Sequence, residues 1–237
     1  MDPYKSLREE AFEANMEIPR RGLAIYTWGN VSAFDPGKGI FAIKPSGVPY
    51  EQLKPGMMVV LDLDGAKVDG DLNPSSDTET HRVLYREFAA PKKTIRGITH
   101  THSPYAVAWS QARRSVPVFG TTHADHGASE IPCTGLLSAE AVKGDYERET
   151  GNLIAAAFKK DGISPEYIPM VLVAGHGPFA WGNSAAQSIY HAAVLEEICK
   201  MALLTLDLNP DAQALPDYII NKHWERKHGP DAYYGQR

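Results

Sequence analysis

The chain has 237 residues, 43% of them hydrophobic, a net charge of −5 and two cysteines. That length and apolar fraction allow a single large domain over residues 1–237, since no stretch reads as a linker. The mild acidity argues against a nucleic-acid partner, which asks for a basic face. No apolar run is long enough to cross a bilayer, and the charged segment 1–17 lacks the apolar heart of a signal peptide. Cys133 and Cys199 form neither a CxxC pair nor a disulfide framework, which suits a reducing compartment, so the expected location is the cytoplasm.

In chain order, Leu7, Ala11, Ala14 and Ile18 share one helical face, and Pro19 is expected to end that helix. Short β-rich pieces follow at 30–34, 40–43 and 57–63. The turn pair Asp64-Gly65 leads into a short strand at 66–68. A loop at 70–75 precedes Ser76-Asp77-Thr78-Glu79, which has the pattern of a capping box at a helix start. Residues 94–101 read as a β-branched strand, and Ser103-Pro104 opens the next helix with proline at its first position. One helix is expected over 138–160, a strand over 170–174, a long helix from Asn183 toward Leu206, and a last helix over 215–227. Strands and helices interleave, but the strands are short and often hairpin-linked. The expected fold is α/β of the α+β type: a central, mostly antiparallel sheet covered by helices on both faces.

The sharpest local feature is His100-Thr101-His102 at a strand end. Residues two apart on a strand point to one side, so both imidazoles can face one point. His176, held between two glycines after an apolar strand, is a third candidate. Three histidines with an open position form a catalytic zinc pattern. His81, His191 and His228 sit in helical stretches with nothing that pairs them to chemistry.

Three segments could hold an anion. Lys44-Pro45-Ser46-Gly47 offers a cation, a hydroxyl and a flexible amide. Gly29-Asn30 offers an amide and a carboxamide. Pro74-Ser75-Ser76-Asp77 opens a helix, whose free N–H groups attract negative charge. Singly, each is an ordinary turn or cap. Asp125 lies in a polar run, Thr121 to Gly127, and a partly buried carboxylate there could act as acid or base. No nucleophile elbow and no dinucleotide-binding glycine loop occurs.

Seven motifs occur together in one order: Thr27-Trp28-Gly29-Asn30-Val31-Ser32, Lys44-Pro45-Ser46-Gly47, Pro74-Ser75-Ser76-Asp77-Thr78, His100-Thr101-His102-Ser103, Gly120-Thr121-Thr122-His123-Ala124-Asp125, Gly175-His176-Gly177-Pro178-Phe179-Ala180-Trp181, and Lys227-His228-Gly229 with Ala232-Tyr233-Tyr234-Gly235-Gln236. This set resembles the class II aldolase/adducin family over nearly the whole chain. The resemblance implies a cyclic homotetramer in which His100, His102 and His176 ligate zinc, or another divalent ion such as manganese, with Asp77 at or next to the metal. It implies that Gly29, Asn30, Lys44, Ser46, Gly47, Ser75 and Ser76 hold a sugar phosphate, and that Thr121, Glu147 and His223 belong to the site's surroundings. It assigns Asp125 as the acid/base on one face and Tyr234, reaching in from a neighbouring subunit, as the acid/base on the other.

Within the family, the Thr-His-Ala-Asp segment and the C-terminal tail are similar to the epimerases, and Asp77 stands where the aldolases carry a glutamate. The implied reaction is the interconversion of L-ribulose 5-phosphate and D-xylulose 5-phosphate by breaking and re-forming a carbon–carbon bond. The alternative is an aldolase of the fuculose-phosphate type that releases an aldehyde. His126 departs from the pattern where an aromatic is expected, and Ala174-Gly175 replaces a form with an additional polar residue. Adducin-like binding modules share the fold without catalysis, but they would be expected to lose the histidines that stand here.

Overall fold

The computed structural model describes residues 2–88, 95–229 and 232–233. Among these, seven strands form one antiparallel sheet: β1 (Asn30–Asp35), β2 (Ile40–Ile43), β3 (Val59–Asp62), β4 (Lys67–Asp69), β5 (Gly97–His100), β6 (Met170–Leu172) and β7 (Pro178–Gly182). Their spatial order is β4-β3-β2-β1-β5-β7-β6. The helices of the described residues are α1 (Lys5–Arg20), α2 (Thr78–Phe88), α3 (Pro104–Ala112), α4 (Thr121–Ala124), α5 (Ala139–Lys143), α6 (Tyr146–Lys160), α7 (Ala185–Leu208) and α8 (Asp217–His228). None of these is long and apolar enough to cross a membrane.

The strands are apolar on both faces because helices cover both. Along β2, Ile40 and Ala42 join one core with α1, α3 and α7, while Phe41 and Ile43 join a second core with α2 and α6. The same period-two division splits Ala180 from Phe179 and Trp181 on β7, as the pleat requires. Gly97 lets α7 close on the sheet, since a Cβ there would stand 2.3 Å from the Ser184 carbonyl oxygen.

Four sequence expectations change. Pro19 lies inside the last turn of α1 rather than ending it. Its ring removes only the bond to Asn15, and the helix stops after Arg20, where Gly22 turns left-handed at φ +66° and Leu23 N donates back to Ile18 O. The expected helix over 138–160 breaks at Gly144, and Asp145 caps α6 by accepting from Arg148 N at 3.2 Å. No capping box forms at α2, because the Glu79 carboxylate pairs with Arg82 and Arg148 instead. Strand β7 and the short α4 had no counterpart in the sequence reading.

α3 lacks a side-chain cap from its own start. Glu196 on α7 supplies one: its two oxygens accept from Tyr105 N at 2.9 Å and Ala106 N at 2.8 Å. This anchors the chain just beyond His102. Glu196→Ala leaves two buried donors unmet and is expected to cost about 2–4 kcal/mol of stability, read as a lower urea midpoint at unchanged slope.

Candidate metal centre and its surroundings

His100 is the last residue of β5, paired with Asn30 on β1 and Phe179 on β7. Its ring stacks on Phe179 with centroids 4.3 Å apart. Its Nδ1 donates to the Pro178 carbonyl at 2.9 Å, which leaves Nε2 available as an acceptor. Such a second contact fixes the tautomer a metal ligand needs. His102 follows the strand end, and His176 sits in the tight β6–β7 turn, where Gly175 adopts φ +72° and Val173 N donates to Gly177 O at 2.9 Å. The three rings lie 4.8–5.2 Å apart, centroid to centroid. One nitrogen from each falls within 4.8 Å of the other two.

Burial first, then His100, holds His176 down to about 4, and burial also lowers His102. Neutral imidazoles are what a cation requires. His176 Nδ1 is also buried without a partner among the described residues. The donor set therefore fits a divalent metal ion held by three nitrogens. Asp77 stands beside this group rather than in it. Burial pushes its carboxyl up, but His100, His81 and the amide of Asn30 outweigh that and keep it below the usual range. Asn30 Nδ2 donates to Asp77 Oδ2 at 2.7 Å.

The three anion segments converge on this centre. Ser75 N donates to Lys44 O at 2.9 Å and Ser46 N to Asn73 O at 3.0 Å, so the Lys44 loop and the start of α2 are zipped together. Gly29 has φ +83°, and a Cβ there would meet the His100 carbonyl oxygen at 2.9 Å. Only glycine lets this loop pass so close to the ligand strand. The result is a cleft of about 470 Å³ lined by Gly29, Asn30, Lys44, Ser46, Gly47, Ser75, Ser76, Asp77, His100, His102, Glu147 and His176. Thr27, Trp28 and Pro45, which belong to the motifs without an assigned role, also line it, as does Tyr146, which nothing in the sequence singles out. The break before α6 matters here: it puts Tyr146 and Glu147 at a helix start, pinned by Thr80 Oγ1 donating to Glu147 O at 2.6 Å.

Lys44 is buried, and among the described residues its Nζ finds only the Pro45 carbonyl at 3.4 Å and the face of Tyr50. Burial pushes its ammonium down to about 8. Among the described residues no carboxylate pairs with it.

Asp125, Thr121 and His223 lie elsewhere. Asp125 follows α4 and is bound by α8: Oδ1 accepts from His223 Nδ1 and Arg226 Nε, each at 3.0 Å, and Oδ2 accepts from Arg226 Nη2 at 2.6 Å. Burial raises its carboxyl, but Arg226, His223 and Lys227 outweigh that and hold it below the usual carboxylate range. It opens on a second cleft, of about 350 Å³, shared with His126, Tyr190, Lys227, His228, Trp181 and Gly182. Gly182 pairs with Gly97, whereas Phe179 pairs with His100. The two clefts therefore lie toward opposite ends of β5 and β7, roughly 10 Å apart along the strands at 3.3 Å per residue. Tyr234 lies outside the described residues.

Fold and centre together define a member of one group. The chain belongs to the class II aldolase and adducin family, whose N-terminal domain model, "Class II Aldolase and Adducin N-terminal domain", matches residues 9–203. It is similar to the L-ribulose-5-phosphate 4-epimerase UlaF of Salmonella paratyphi C (strain RKS4594), with 47% identity over 233 residues, 98% of this chain and 100% of that protein. Among solved structures, an L-fuculose 1-phosphate aldolase superposes with a TM-score of 0.76 at 23% identity, covering 93% of this chain and 95% of that one. The L-fuculose-1-phosphate aldolase of Thermus thermophilus does so with a TM-score of 0.66 at 23% identity, covering 88% and 98%. At that identity, the two structures bear on the fold alone.

Proposed function

We propose that this chain is an L-ribulose-5-phosphate 4-epimerase: a cytoplasmic, zinc-dependent enzyme working as a ring-shaped homotetramer of single catalytic domains. The observation that carries the reading is the convergence on one cleft of a three-histidine centre and a buried Lys44 that no described carboxylate neutralises.

The hydrogen on C4 of a 2-ketopentose phosphate is not adjacent to the carbonyl, so removing it yields no stabilised carbanion. Inversion can instead proceed by breaking the C3–C4 bond. The bonding pair passes into the C2 carbonyl, giving an enediolate on one fragment, and the C4 hydroxyl loses its proton to give an aldehyde phosphate. A divalent ion bound by His100, His102 and His176 would act there as a Lewis acid toward the C2 and C3 oxygens; zinc suits three neutral imidazoles, and manganese is the other candidate. Lys44, Ser46, Gly47, Ser75 and Ser76 grip the phosphate, so the aldehyde stays in place while its carbonyl turns over. Gly29 and Asn30 close that grip, and Glu147 lines the opposite wall. Asp125 accepts and returns the C4 hydroxyl proton on one face, with Thr121 and His223 around it, and Tyr234 does so on the other.

Asp125 opens on a different cleft from the histidines, so on this reading a complete site takes residues from two protomers. A head-to-tail contact between unlike surfaces closes into a ring when the rotation permits. Exposed Trp28, which lines the histidine cleft, and exposed Tyr26 edge-on to it suit coverage by such a neighbour.

The direct test is to supply L-ribulose 5-phosphate and follow D-xylulose 5-phosphate with and without a chelator. Chelator-sensitive formation is expected; free aldehyde as the product would move the reading to an aldolase. Lys44→Met is expected to act mainly on binding, raising KM on the order of 100-fold with a smaller change in kcat, because it removes phosphate affinity common to ground and transition states.

A further inference from the structure

His102 stands beyond the sheet, because the pairing of β5 with both β1 and β7 ends at His100. Its side chain is exposed, unlike that of His100. A metal-binding imidazole is usually held by a hydrogen bond from its second nitrogen. His100 has the Pro178 carbonyl for this, whereas no described residue bonds to the His102 ring. Two of the rings against it are His100 and His176 themselves, with centroids 4.9 and 5.2 Å away. The third is Trp28, at 6.1 Å and tilted by 52°, a spacing typical of favourable aromatic contacts.

Trp28 is itself held in place. Its N–H donates to the Ile25 carbonyl at 3.1 Å, closing a turn over 25–28. The hydroxyl of buried Tyr50 reaches the carbonyl oxygens of Trp28 at 2.8 Å and Gly29 at 3.0 Å. Within the turn Tyr26 takes φ +54°, which is uncommon for a bulky residue. The other described non-glycine residue with positive φ, Arg113, caps the end of α3, where such a conformation is usual. Tyr26 closes no helix. Its side chain is 79% exposed, and among the described residues its one ring contact is Trp28, edge-on at 6.4 Å. Strained backbone persists where the surrounding structure imposes it and clusters at functional sites. Here it sets one aromatic ring against another that leans on a candidate ligand.

We propose that Trp28 is a positioning residue of the metal centre: with Tyr26 as its prop, the indole holds the His102 ring in the ligating orientation, the task that the Pro178 carbonyl performs for His100. The inference rests on the reading that the three histidines bind a metal. Without the indole, the His102 ring would be free to swing into solvent, and ordering it on binding would cost affinity. The electron-rich indole also favours an imidazole whose charge a bound cation draws away.

The chelated full chain is titrated with zinc against a competing chelator, and with cobalt, whose visible absorption reports ligand geometry. The loaded enzyme is assayed for kcat and KM, and sedimentation checks the oligomer. Trp28→Leu keeps an apolar side chain and loses the ring. It is expected to lose about 10-fold in zinc affinity, the lower end of the range for groups that orient ligands, and to alter the cobalt spectrum; Trp28→Phe should recover most of both. Tyr26→Asn suits the left-handed turn but lacks the prop, so a severalfold loss in the same direction is expected. Wild-type zinc affinity and cobalt spectrum in Trp28→Leu overturn the proposal. So does a raised KM at unchanged zinc affinity, which would make Trp28 a substrate contact instead, and so does an equal loss in Trp28→Phe. Should Trp28→Leu fail to fold or assemble, Tyr26→Asn carries the test, and an unchanged zinc affinity there overturns the assignment. A wild type that binds no zinc removes the reading of the histidines and the inference with it, whereas tight wild-type binding that every variant keeps removes the role of Trp28 alone.

Discussion

His176→Ala is expected to abolish tight metal binding and to lower turnover by roughly 10³-fold, since Lewis-acid stabilisation of developing charge is worth several kcal/mol. The choice of His176 keeps the measurement clean. His100 is buried within the sheet, stacked on Phe179 and bonded to Pro178, so its loss would disturb packing as well as ligation. His176 is half-buried in a turn whose shape is set by backbone bonds around Val173, Gly175 and Gly177. The variant should therefore keep the wild-type melting profile of the metal-free protein. Metal content by elemental analysis and epimerase rate should fall together, and the chelated wild type should match the variant. A variant that loses its metal and keeps its rate would remove the three histidines from the mechanism.

The second large effect concerns the division of the site between protomers. Asp125→Asn is expected to lower the rate by about 10²–10⁴-fold, the usual contribution of a positioned acid/base, with metal content unchanged because Asp125 lies outside the histidine cleft. Mixed with His176→Ala, the two inactive chains should recover activity. In a head-to-tail ring each site draws its histidines from one copy and its Asp125 from the next, so random mixing at equal amounts restores about one site in four. Co-expression with two different tags, isolation of the doubly tagged oligomer and a rate assay would test it. If the isolated mixed oligomer shows no gain over its parents, Asp125 and the histidines do not meet across an interface. The Asp125 ion pairs add a pH signature of their own. A carboxyl held low in the folded state contributes stability above its ordinary value, and that contribution is lost as the pH falls through the depressed one. The α4–α8 end should therefore loosen in acid before the sheet does, visible as early loss of hydrogen-exchange protection near Ile220.

Much of this protein was legible in its residues. The short apolar β-rich pieces at β2 and β3, the His-x-His pair, the glycines around His176 and the proline-headed start of α3 are local rules, and local sterics and hydrogen bonding are enough to impose them. The order of the motifs carried the family, because seven short matches in sequence constrain far more than any one. The residues could not show which of those motifs share a cleft. That was decided by long-range pairing: the bridge between Pro45 and Pro74 zips two anion loops that are otherwise ordinary turns, and antiparallel β5 and β7 put His100 next to the turn that holds His176. Glu147 had only the family resemblance to point to it, because a break at Gly144 has no strong periodic signature; the packing of α6 on α2 brings it to the cleft. Trp28 shows the limit most plainly. Its place in a motif was visible, but a tryptophan before a glycine means little until the fold sets its ring against His102. Asp125 is the converse: its residue type and context suggested chemistry, and the fold placed it in a second cleft, away from the histidines. Sequence determines local geometry because its causes act over a few residues; the site depends on which distant surfaces exclude water together, and that exists only once the chain, and on the present reading its neighbour, has folded around it.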